Sequence, residues 1–258
     1  MSTPFVIWTM QRTGGTTLTT LLKSFSEYPS LQHEPFNVER KLGWILQDWN
    51  KNGDAAKMQA DISAALSDRP IIKHCYELVP EALNLALMTA TSELGYRHII
   101  LDRRAEDLRI LSLELAKQTG AWGKTAAEDV YRDIKSGEKT LSPLSLQQAL
   151  DHLERCHTRR LSLATQMKES GLSPLVVHFE DVYSDPIAGK KRIREILNFV
   201  DLNPLDFQNG RQRVVKALRT QGQNTESIMD LLPNLNVVKD KLQTAQKNQS
   251  LDFETYFL

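Results

Sequence analysis

The sequence predicts an α/β fold, a three-layer P-loop-like arrangement with a central parallel sheet flanked by helices. Three observations carry this. Short β-branched, apolar runs recur along the chain and alternate with longer stretches whose apolar residues step by three and four. The short runs are continuously apolar rather than alternating, which marks strands covered on both faces. The first of them passes through a glycine-bearing turn directly into a helical pattern.

Taken in order, residues 5–10 (Phe-Val-Ile-Trp-Thr-Met) read as a buried strand, 11–15 as a turn and 16–25 as a helix. Further strands are expected at 70–74, 97–102 and 174–180, where Ile, Leu and Val cluster. Helices are expected at 55–66, at 80–94 with Pro80 in the first turn, and at 105–119 with Gly120 as the stop. The longest, 145–170, carries Leu146, Ala149, Leu150, Leu153, Cys156, Leu163, Ala164 and Met167 on one stripe and ends at Gly171. Asp185-Pro186 reads as an N-cap with proline at the first helical position, opening a helix through Phe199.

No repeat or Gly/Ser linker interrupts the chain, so residues 1–258 are expected to form one domain, with 203–258 a polar helical appendage. The 258 residues suffice for a full core without disulfides. Lysine plus arginine and aspartate plus glutamate number 32 each, a net charge of zero that speaks against nucleic acid as a partner. Only two cysteines occur, Cys75 and Cys156, and no ligand cluster has metal-binding spacing, so no metal is expected. No run approaches the ~18 apolar residues of a membrane span, and no export signal is visible. A cytoplasmic protein without a membrane span is the expectation; a homodimer is compatible with it.

The most informative segment joins the first strand to the first helix: Gln11-Arg12-Thr13-Gly14-Gly15-Thr16-Thr17. Gly14 and Gly15 let backbone N–H groups turn toward a ligand, and Thr13, Thr16 and Thr17 add hydroxyl donors. Arg12 adds a fixed positive charge, and a helix N-terminus favours an anion. A glycine turn with threonine caps is the plain alternative. A P-loop kinase would need a Lys-Ser/Thr pair after the second spaced glycine, and this loop has no lysine.

A second basic segment follows the strand at 97–102. Arg104 stands at the strand-to-helix junction and Ser112 lies eight residues on, about two helical turns along. Arginine and hydroxyl there suit a phosphate. The plain alternative is a solvated helix start in which Arg103, Arg104 and Arg109 interleave with Asp102, Glu106 and Asp107.

Together the two segments resemble the sulfotransferase superfamily, whose 5′-phosphosulfate loop follows the first strand and whose 3′-phosphate site is an Arg with Ser eight residues later. Residues 112–122 look closest to bacterial carbohydrate sulfotransferases of the trehalose-sulfating type. His33-Glu34-Pro35-Phe36 is similar to a motif after that family's first helix, and His178-Phe179-Glu180-Asp181 with Asp185-Pro186 is similar to its late strand. The resemblance spans roughly residues 5–200. Arginine at position 12 replaces the lysine of cytosolic members, and pairing Arg103 with Asp107 fits one subfamily while pairing Arg104 with Ser112 fits the broader pattern. The late Arg-Lys-Gly element is missing, and Arg219–Thr225 is its nearest stand-in.

The resemblance implies 3′-phosphoadenylyl sulfate (PAPS) as sulfuryl donor, adenosine 3′,5′-bisphosphate (PAP) as product, no metal, and a small-molecule or carbohydrate acceptor, a glycolipid included. It assigns donor binding to Arg12, Thr13, Gly14, Gly15, Thr16 and Thr17, with Arg104 and Ser112 at the 3′-phosphate. Arg12 and loop N–H donors would stabilise charge on the leaving phosphate. Three residues are candidates for the base: Glu34, as in the trehalose-sulfating relatives, His74, as in the cytosolic ones, and His33. His74 titrates nearest neutral pH, whereas a carboxylate is a weak base unless its surroundings raise it. Phe36, Trp44, Trp49, Tyr76 and Trp122 are candidates for an acceptor wall. His98, His152, His157 and His178 read as structural. Two other functions stay open, a nucleotide or small-molecule kinase and a non-catalytic nucleotide-binding sensor.

Overall fold

The chain is an α/β protein built on a four-stranded, all-parallel sheet. The structure, a computed structural model, describes residues 2–31, 33–219, 224–247 and 251–257, the side chains of Lys124 and Thr125 excepted. The chain divides into two compact units: Met1–Asp102 with Arg159–Arg219 and Asp252–Leu258, and Arg103–Thr158 with Thr220–Leu251.

The first unit contains the sheet. Strand β1 (Phe5–Thr9) leads into helix α1 (Gly15–Lys23), followed by α2 (Gly43–Asn52) and α3 (Ala55–Ala65). Strand β2 (Ile72–Cys75), helix α4 (Glu81–Glu93) and strand β3 (Arg97–Asp102) come next. In the second unit lie α5 (Glu106–Thr119) and α6 (Lys124–Ser136), and α7 (Leu146–Glu169) runs through the division at residues 158–159. The first unit resumes with β4 (Leu175–His178), α8 (Phe179–Tyr183), α9 (Pro186–Phe199) and α10 (Gly210–Arg219). Short α11 (Glu226–Met229) and α12 (Leu235–Lys247) belong to the second unit, and α13 (Phe253–Phe257) to the first.

The sheet order is β2-β1-β3-β4. One face packs Phe5, Ile7, Ile99, Leu101 and Val177 against Leu18, Leu21 and Leu22 of α1 and Ile193, Ile196 and Leu197 of α9. On the opposite face His74 meets Asn84 of α4, and Asp102 takes a bidentate pair from Arg160 of α7 at 2.9–3.2 Å. Helices thus cover both faces, as continuously apolar strands require.

Where the expected elements differ, the cause is local. The strand expected to run to Glu180 stops at His178, because Phe179 and Tyr183 sit four apart and turn helical, with their rings 4.9 Å apart. The Asp185 cap forms as expected, accepting from the N–H groups of Ile187 and Ala188. The segment 203–258, expected as a polar helical appendage, includes core residues. Leu218 joins the sheet-side core, while Ile228, Met229, Leu232, Val238 and Leu242 join the core of the second unit.

Candidate functional site

Strand β1 is buried throughout and delivers the chain to the loop at Thr9. The loop closes on itself there. Thr13 Oγ1 donates to Met10 O at 2.7 Å and touches Thr9 Oγ1, and Thr9 Oγ1 donates to Leu101 O at 3.0 Å. Thr13 is therefore a buried brace of the turn, whereas Thr16 is exposed and Thr17 half-buried at the start of α1. The Gln11 N–H donates to Glu77 Oε1 at 2.8 Å.

Arg12 holds φ at 68°, in the left-handed region that a side chain beyond glycine adopts only at a cost. Gly14, at φ 78°, is the N-cap residue just before α1, and no side chain among the described residues caps that helix. A methyl group on Gly14 would lie 2.9 Å from Tyr183 and 3.0 Å from Phe179, so glycine is needed both for the turn and for the aromatic pair of α8 to close on it. Tyr183 Oη also donates to Gly14 O at 3.3 Å, and burial holds its phenol above the ordinary range.

Beside the loop stands a lysine that the loop itself lacks. In the parallel register Ile7 pairs with Lys73 and Trp8 with His74. Paired residues share a face and neighbours along a strand alternate, so Lys73 points to the α1 side and His74 to the other. The Lys73 stem passes 3.0 Å from where a Gly15 methyl would sit. Its Nζ reaches Glu34 Oε1 at 2.6 Å and lies 3.5 Å from Thr16 Oγ1, at the outer limit of a hydrogen bond.

Glu34 is held from several sides. Its N–H donates to Lys73 O at 3.0 Å, Cys75 Sγ donates to Oε1 at 3.3 Å, and Asn37 Nδ2 donates to Oε2 at 3.0 Å. Like Arg12 it holds a left-handed backbone, φ 57°. Among the described residues other than glycine, six hold positive φ, Arg12 and Glu34 being two of them. Burial pushes the Glu34 carboxyl up, but the Lys73 charge and hydrogen bond, with the Cys75 thiol, outweigh it and hold the group below the usual range. Burial opposes the Lys73 ammonium, but its contact with Glu34 helps to overcome this and hold the ammonium above its ordinary value. The pair is ionised.

The structure separates the three candidate bases. His74 is buried under Trp8 and Phe36, with ring centroids 5.1 and 5.7 Å away. Asn84 spends Nδ2 on Tyr76 O, so its Oδ1 faces His74 Nε2 at 2.7 Å and that nitrogen carries the proton. Burial, partly countered by Asn84, lowers His74 to about 4. His74 thus sits as a neutral core residue on the sheet face away from α1. His33 is half-buried, its Nδ1 has no hydrogen-bond partner among the described residues, and burial followed by Lys73 lowers its pKa. Of the three, Glu34 makes direct contact with Lys73 at the loop.

In the second unit, Arg103 is buried with Nη2 3.7 Å from Glu226 Oε1, while the Arg104 side chain is exposed and its carbonyl accepts from Gln246 at 2.7 Å. Ser112 Oγ donates to Thr225 Oγ1 at 3.2 Å, and Tyr131 Oη lies 3.2 Å from the same atom. Thr220–Gln223 of the expected late element lie outside the described residues; Thr225 is in contact with Ser112. The solvated-helix alternative does not describe this segment. Arg109 is fully buried in a bidentate pair with Glu106, at 2.6 and 3.0 Å, and donates to Cys156 Sγ at 2.8 Å.

Among the aromatic candidates, Phe36 and Tyr76 are core, whereas Trp44 and Trp122 are about half exposed. Sequence reasoning missed Lys73, Asn37 and Glu77. The signal for Lys73 was present: a lysine inside a buried strand needs an anionic partner. No family model matches the chain, and no curated protein matches it.

Proposed function

We propose that this chain is a sulfotransferase that holds PAPS at the Gly14-Gly15 loop and passes its sulfuryl group to an acceptor hydroxyl on a carbohydrate or glycolipid. The observation that carries this reading is Lys73 Nζ, placed 2.6 Å from Glu34 and 3.5 Å from Thr16 at the start of α1. An anion seated at that helix start competes with Glu34 for the ammonium. Lys73 and Arg12 then stabilise the charge that grows on the leaving phosphate oxygen as its bond to sulfur breaks. Glu34, relieved of the contact that keeps its carboxyl acidic, takes the proton of the acceptor hydroxyl as the new sulfur–oxygen bond forms. The 3′-phosphate assignment to Arg104 and Ser112 rests on the resemblance alone.

A second reading draws on the same lysine. Lys73 supplies in space the cation that a kinase loop carries in sequence, so a nucleotide or small-molecule kinase is the competing function. It requires magnesium-dependent ATP binding.

The test is transfer of label from PAPS to a panel of carbohydrate and glycolipid acceptors. Labelled product is expected with the natural chain and none with Glu34→Gln, which should still bind PAP. PAP binding without product on any acceptor would instead favour a nucleotide-binding sensor.

A further inference from the structure

At the end of β4 the chain places His178, and one turn along α8 it places Asp181. Glu254 of α13 completes the group, within the same unit. The His178 side chain is 4% exposed, and its Nδ1 is buried without a hydrogen-bond partner among the described residues. That nitrogen lies 3.7 Å from Asp181 Oδ2 and 3.7 Å from Glu254 Oε1, and all three atoms fall within 4.8 Å of one another. The spacing is beyond the ~3.5 Å outer limit of hydrogen bonds. It is close to the ~3.4 Å that separates ligand atoms each ~2.1 Å from a shared tetrahedral ion.

We propose that His178, Asp181 and Glu254 bind a divalent transition-metal ion of the zinc class. One imidazole and two carboxylates suit zinc, whereas magnesium and calcium prefer six or more oxygens. Arg192 Nη2 stands 3.9 Å from Glu254 Oε1, but the guanidinium also donates to Glu195 Oε2 at 2.6 Å and to Val176 O. Three protein ligands leave a fourth position for water. Such an ion would tie the helix that carries Glu254 to the end of the sheet. This site is independent of the proposed sulfuryl transfer.

The experiment uses the full chain, stripped with chelator and titrated with zinc. One equivalent is expected to bind and to raise the melting temperature, as ligand linkage requires, and magnesium at equal concentration is expected to leave it unchanged. Asp181→Asn and Glu254→Gln alter side chains that are 33% and 44% exposed, so both should fold. Each should weaken zinc by about tenfold or more. Cobalt(II) should give visible bands of a low-symmetry site that His178→Gln abolishes. Absence of stoichiometric zinc, or affinity unchanged in both carboxylate variants, would overturn the proposal.

Discussion

Lys73 Nζ and Glu34 Oε1 lie 2.6 Å apart, joined as a largely buried ion pair beside the Gly14-Gly15 loop. Lys73 is 7% exposed and Glu34 18%, so neither charge is well served by water. Removing one partner strands the other. Lys73→Met is therefore expected to destabilise the fold by about 3 kcal/mol, near the low end for a buried pair because Glu34 keeps some solvent contact. Adding Glu34→Gln should restore part of that loss. Chemical denaturation of the two single variants and the double variant measures the coupling.

Arg12 stores strain in its left-handed backbone. Arg12→Gly should relax it, raising the stability of the unliganded chain by about 1 kcal/mol while weakening PAP by tenfold or more. Denaturant midpoints and PAP titrations report the two effects separately. A loss of stability on Arg12→Gly would show that the arginine braces the loop rather than serving a ligand.

Acid should loosen the core through its histidines. His74 and His98 are each held at about 4 by burial, against 6.5 for an ordinary histidine. Between those values the unfolded chain binds protons that the folded chain does not, so stability falls as pH drops from 6.5 toward 4 and is kept in full above that window. Each histidine accounts for up to about 3 kcal/mol. Glu34, held below its ordinary 4.5, adds a further loss beneath that pH. His98 Nδ1 accepts from Trp8 Nε1 at 3.1 Å, a bond that a glutamine oxygen reproduces. His98→Gln should flatten the melting-temperature profile between pH 6.5 and 4.

The arginine doublet separates by burial. Arg103→Ala removes a buried side chain facing Glu226 and should cost about 1–3 kcal/mol, whereas Arg104→Ala alters an exposed one and should cost under about 0.5 kcal/mol. The rise in melting temperature induced by PAP then identifies which arginine meets the 3′-phosphate. It should fall in Arg104→Ala and in Ser112→Ala if the Arg104 register holds, and in Arg103→Ala if it does not.

Much of this molecule can be read from its chain. Strand β3 falls where Arg97–Asp102 predicts it, since the three consecutive apolar residues Ile99, Ile100 and Leu101 suit a strand buried on both faces. The α9 start is equally legible, because Asp185 and Pro186 each have a defined job at a helix N-terminus. Helix α12 is hidden because its fully buried contribution to the core is Val238 and Leu242 in an otherwise polar stretch. The loop was evident as a local pattern, but its lysine came from a strand about sixty residues away in sequence. One step in register decides whether Lys73 or His74 faces α1, and strand pairing sets that register. His178 and Glu254 illustrate the same limit, being 76 positions apart with no spacing to connect them.

The most direct test of the proposed function is calorimetric titration of the full chain with PAP and with ATP, each with and without magnesium. PAP is expected to bind at least about tenfold more tightly than ATP, without need of magnesium, and Lys73→Met is expected to lose most of that affinity. Equal affinity for the two nucleotides, or ATP binding that appears only with magnesium, would contradict the sulfotransferase reading.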